Sequence, residues 1–95
     1  MRFELDQLEP RAVSRRVVTI CRIPADGTRW RVVVETWEDM GGWRGRLAFQ
    51  PDSPETRADT RWGPVTLSGR TPTDILDVVH RLPERRLREV LHSLG

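Results

Sequence analysis

Few side chains in this 95-residue sequence are of the types that do covalent or metal chemistry. Cys21 is the lone cysteine, and a nucleophilic cysteine needs a base beside it. It sits in the β-branched run RRVVTICRI with no histidine nearby in sequence, so it reads as a core residue. His80 and His92 have no H-E-x-x-H or C-x-x-C companion and are expected as helix-end dipole partners or surface groups. Asp74 and Asp77 could share a cation, but a place near a helix start accounts for both. Gly41, Gly42 and Gly45 make neither G-x-G-x-x-G nor a phosphate loop; Gly45 is expected to leave space beneath a tryptophan or to mark a bulge. These residues call for no catalysis, metal or cofactor.

Arginine and tryptophan are the types that stand out. All 16 Lys+Arg positions are arginine, and four tryptophans accompany two phenylalanines and no tyrosine. The pI near 9.9 invites a nucleic-acid reading. Yet 14 carboxylates bring the net charge down to +2, and acid and base are interspersed, as in Arg81, Glu84, Arg85, Arg86, Arg88 and Glu89. Such mixing marks a solvated surface, and an all-arginine basic set is also what a GC-rich coding bias produces.

The elements that must position these side chains belong to one domain, 1–95, of the α+β class. Residues 1–13 form an N-terminal segment in which Phe3, Leu5 and Leu8 can anchor a short strand or helical turn ended by Pro10. A four-stranded antiparallel β-meander is expected over 15–69. Its strands are 15–23, 29–38, 43–50 and 61–69, with a polar loop at 51–60. Asp26-Gly27 signals a tight hairpin, and residues 39–42 make the next turn. Pro64 argues that the fourth strand lies at an edge or carries a bulge. Over 71–94, Thr71, Pro72 and Asp74 open a helix, and the apolar stripe rotates by about a quarter turn across Pro83. Two helical segments, packed on one face of the sheet, follow. No apolar run approaches the roughly 18 residues a bilayer requires, so no membrane role is expected. The N-terminus does not read as a secretory signal, and a lone cysteine fits the cytoplasm.

Turn geometry sorts the strands into faces. Ile23 is expected opposite Trp30, Cys21 opposite Val32, Ile20 opposite Val33 and Val18 opposite Glu35; on the third strand Leu47 opposes Val34 and Arg46 opposes Glu35. One face then collects Val17, Cys21, Ile23, Trp30, Val32, Val34, Leu47 and Phe49, with Val65 and Leu67 from the fourth strand, beneath the helices. The other collects Val18, Ile20, Val33, Trp37 and Ala48, bordered by Arg22, Arg31, Glu35, Arg44 and Arg46. Trp37 would lie opposite Arg44 as a cation–π pair, Trp30 and Trp43 take core places, and Trp62 packs the helix entrance or lies exposed. A one-sided sheet has a polar outer face. Large apolar side chains left in water forgo roughly 1.5–3 kcal/mol each, so this strip calls for cover by the N-terminal segment, by arginine stems or by a second molecule.

Two functions use such a surface. The leading expectation is a non-enzymatic module that self-associates, as a homodimer, or docks on a protein partner through Arg22, Arg31, Val33, Trp37, Arg44 and Arg46. The other is single-stranded DNA or RNA binding by the same residues, bases stacking on rings while arginines follow phosphates. The order of four strands then a helix, with Trp37, Arg44 and Arg46 on the sheet, resembles single-strand-binding domains of the PUR, Whirly and PC4 type over residues 15–94. That resemblance implies a sheet that binds single-stranded nucleic acid and a helix that helps dimerise. The helix broken at Pro83 departs from it.

Overall fold

Two tight turns set the sheet. Asp26 and Gly27 both adopt positive φ, 54° and 76°, as do Met40 and Gly41 at 52° and 82°. Each pair forms the two-residue turn whose twist suits a hairpin. The second turn is thus tighter than the four residues expected; Asp39 and Gly42 pair with each other, and the register beyond them is the expected one. The computed structural model describes residues 15–53 and 59–95; the N-terminal segment and the middle of the 51–60 loop lie outside the described residues.

These turns join β1 (Arg16–Ala25), β2 (Thr28–Asp39) and β3 (Gly42–Pro51) into an antiparallel meander. β1 follows the expected pairing from Ala25↔Thr28 to Cys21↔Val32, then slips. A bulge between Thr19 and Cys21 leaves Ile20 unpaired, so Thr19 meets Val33, Val18 meets Val34 and Val17 meets Glu35. The expected pairs Ile20–Val33 and Val18–Glu35 are therefore wrong. One inserted residue exchanges the faces of everything upstream. Val18 moves to the helix side, Val17 moves to the open side, and Ile20 joins Cys21 against the core.

The expected fourth strand is broken. β4 (Arg61–Trp62) pairs with Ala48 and Phe49, and β5 (Leu67–Gly69) pairs with Trp43, Arg44 and Gly45, so both lie along β3. Gly63 still donates to the Leu47 carbonyl at 2.8 Å, and Pro64–Thr66 loop out after it, because Pro64 has no N–H to give a ladder. Val65 is consequently exposed rather than core, while Leu67 packs inward.

Helix α1 (Pro72–His80) begins as its sequence dictates. Thr71 Oγ1 accepts from the Asp74 amide at 3.2 Å, and the Asp74 carboxylate accepts from the Thr71 amide at 3.2 Å. Helix α2 (Glu84–Leu94) starts after Pro83, and the break lets both apolar stripes face the sheet. Ile75 and Val79 of α1 and Leu87 and Leu91 of α2 close over Ile23, Trp30, Val32, Val34, Leu47 and Phe49. At Gly45 an added Cβ would stand 3.0 Å from the Glu35 carbonyl oxygen and 3.2 Å from Thr36 Cγ2 of the neighbouring strand, and 3.4 Å from Ile75 Cγ2 of α1. Helix α1 itself comes closer at Gly69, where a Cβ would stand 2.8 Å from Asp74 Cβ. No tryptophan is among the nearest neighbours at Gly45. No helix of the described residues is long and apolar enough to cross a membrane.

Candidate interface on the open sheet face

With both helices on one side, the other side of β1–β3 presents alternate residues of each strand. From β2 these are Arg31, Val33, Glu35 and Trp37; from β3 they are Arg44, Arg46 and Ala48. Val17 and Thr19 of β1 face the same way, and β4 adds Trp62 opposite Ala48.

Glu35 is the centre of this face. Its side chain is only 6% exposed, and each oxygen is taken: Arg15 Nη1 donates to Oε2 at 2.8 Å and Arg46 Nε donates to Oε1 at 2.7 Å. The same two guanidinium groups cover rings. Arg15 lies 5.1 Å from the Trp37 centroid, and Arg46 lies 4.1 Å from that of Trp62. A belt of ring, cation, anion, cation and ring thus crosses the sheet from Trp37 to Trp62. Burial in this geometry holds the arginines in one place, since a carboxylate with two partners cannot follow either one into solvent.

The remaining arginines pair more loosely. Arg22 and Arg31 are direct cross-strand neighbours and share Asp52, at 3.4 and 3.6 Å. Like charges so placed repel, and the shared carboxylate offsets this. The Nε of Arg31 is buried and has no hydrogen-bond partner among the described residues. Arg44 stands opposite Trp37 as expected, but it pairs with Asp39 at 3.7 Å, and the ring's guanidinium comes from Arg15 instead. Val33, expected as a contact residue, is 3% exposed and offers no contact area. Trp62 is 47% exposed and Trp37 is half-buried.

The structure therefore brings together Arg31, Trp37, Arg44 and Arg46 on one face, with Arg22 at its β1 border, and withdraws Val33. Sequence reasoning missed Arg15 and Asp52. Arg15 was hidden by the bulge, for only the slipped register carries β1 past Val17↔Glu35 toward Trp37. Asp52 follows β3 directly, and its amide donates to the Arg29 carbonyl at 2.9 Å, which fixes its carboxylate beside Arg22 and Arg31.

The other reactive types lie elsewhere. Cys21 faces the helices, where burial, with a smaller effect from Glu84, pushes its thiol above the ordinary range. His92 pairs with Asp26 at 3.2 Å across to the first hairpin. Asp74 serves the α1 cap, and no group of three or more His, Cys, Asp or Glu able to hold a metal occurs among the described residues. Compared with protein-family models, with curated proteins and with solved structures, the chain has no match.

Proposed function

We propose that the chain is a non-enzymatic binding module that docks through its open sheet face on a protein surface, a second copy of itself or another chain. The belt from Trp37 through Arg15, Glu35 and Arg46 to Trp62 carries this reading. Tryptophan and arginine dominate binding energy at protein interfaces. Here both types are already held in place by neighbours, so less side-chain freedom is lost on docking. The non-enzymatic reading rests on the chemistry of the candidates. Both oxygens of Glu35 are engaged by guanidinium groups, and the Cys21 thiol is held in its protonated form. A single cysteine without a disulfide suits the reducing cytoplasm, the compartment we assign.

A second reading, single-stranded nucleic-acid binding, is favoured by a charge surplus. Among the described residues, Arg15, Arg22, Arg29, Arg31, Arg44 and Arg46 outnumber Glu35, Asp39 and Asp52 on this face, six to three. It also agrees with the resemblance to domains of the PUR, Whirly and PC4 type. Against it, a guanidinium already occupies one face of both rings, where a base would stack.

A Trp62→Ala variant tests the first reading, because this ring is half exposed and its loss leaves the core intact. It should abolish association, read as solution mass or as partners retained by the immobilised chain, while the circular dichroism spectrum stays unchanged. Undiminished association refutes docking through this face. Titration with a single-stranded oligonucleotide separates the second reading: affinity that falls steeply with salt supports it, and no binding at low salt removes it.

A further inference from the structure

The two borders of the sheet are built differently. Along β3 the border strands are two and three residues long and are interrupted at Pro64. Short length and proline are the devices that keep a sheet edge from pairing with another chain. The opposite border is β1, ten residues long, with no strand on its outer side among the described residues. Its second half is guarded. The bulge at Ile20 interrupts the ladder, Pro24 has no N–H, and α2 reaches this end through Arg88, whose Nε donates to the Pro24 carbonyl at 3.3 Å.

The first half, Arg16–Thr19, has neither bulge nor proline. It pairs regularly with β2, and three of its four residues are β-branched. Val17 is 62% exposed on the open face and Val18 is 38% exposed on the helix face. In an antiparallel strand alternate residues turn their N–H and C=O away from the partner. A regular edge with exposed valines on both faces is a template for strand addition.

We infer that Arg16–Thr19 is where a second copy of this chain pairs, β1 against β1, antiparallel about a two-fold axis, to form one continuous sheet. The strand's own sequence accommodates this occupant without a clash. Facing residues in such a pair share a sheet face, so the axis passes through Val17 or Val18. Through Val17, Arg16 faces Val18 and Arg15 faces Thr19; through Val18, Val17 faces Thr19 and Arg16 faces Ile20. Neither register sets arginine against arginine, and both give each exposed valine a partner across the junction. The axis stands perpendicular to the sheet, so both open faces lie on one side and the two belts join into a single, larger docking surface. Four residues of edge bury far less than the roughly 1,200 Å² of a stable interface, so the dimer is weak and concentration-dependent.

Light scattering or sedimentation of the full chain, from about 10 µM to about 1 mM, tests the inference in the range where so small a contact saturates. The mass of the native chain should rise toward that of a dimer. Val18→Lys places a charge at the junction, on the face away from the belt, and should return the mass to the monomer with an unchanged circular dichroism spectrum. Should that variant fold poorly, amide hydrogen exchange of the native chain decides: protection of residues 16–19 should grow with concentration. A monomer throughout, a Val18→Lys dimer as tight as the native one, or concentration-independent exchange overturns the inference. Trp62→Ala separates it from the docking proposal. A dimer lost with Trp62→Ala but kept with Val18→Lys uses the open face and overturns edge pairing; the reverse supports edge pairing and leaves face docking to its own test.

Discussion

Glu35 holds two arginines at once, and the worth of that arrangement is measurable. Gln in its place keeps the volume but removes the charge that both guanidinium groups bind. Glu35→Gln is expected to destabilise the fold by about 2 kcal/mol, read as a lower urea midpoint, because two charge-assisted hydrogen bonds are weakened together. It should also shift tryptophan emission, since Arg15 and Arg46 lose the group that holds them over Trp37 and Trp62. Unchanged emission would mean the belt is not coupled. The opposition of Trp37 and Arg44 was legible from the turn alone, since it depends only on counting back from residues 39–42. Which arginine sits over the ring was not. Arg44 turns to Asp39 and Arg15 takes the place, a choice settled by competing charge partners that no spacing records.

The helices and the first strand show the same division among the elements. The α1 start was readable because capping is local chemistry: Thr71, Pro72 and Asp74 carry the hydroxyl, the fixed φ and the carboxylate within four positions. Asp74→Ala removes the acceptor for the Arg70 and Thr71 amides, at 3.1 and 3.2 Å. The expected cost is about 1 kcal/mol, seen as a lower thermal midpoint with native helix content retained at 25 °C (approximately). An unchanged midpoint would show that packing alone fixes the helix start. The bulge in β1 was not readable. Val17, Val18, Ile20 and Cys21 are apolar on both parities, so alternation cannot say where a residue is skipped. The core side settles it by accepting both Ile20 and Cys21.

Across the whole molecule, stability depends on two short helices closing one side of a thin sheet. Leu91 is fully buried against that sheet, and Leu91→Ala should cost about 2–5 kcal/mol, a large part of the roughly 5–15 kcal/mol that a domain has. Val78→Ala, on the exposed side of α1, should leave the chemical-denaturation midpoint nearly unchanged. Similar losses from both would mean that α2 does not close the core. The α+β class, the meander, the broken helix and the residues of the first hairpin followed from turn chemistry, capping and periodicity, which act over a few positions. The shape of the open face did not follow. An expected strip of Val18, Ile20, Val33, Trp37 and Ala48 gave way to a charged belt between two rings, because Val18 and Ile20 lie on the helix side. Local patterns specify elements, but the side to which each residue turns is set by long-range packing and by competition among charges, and those exist only once the chain has closed on itself.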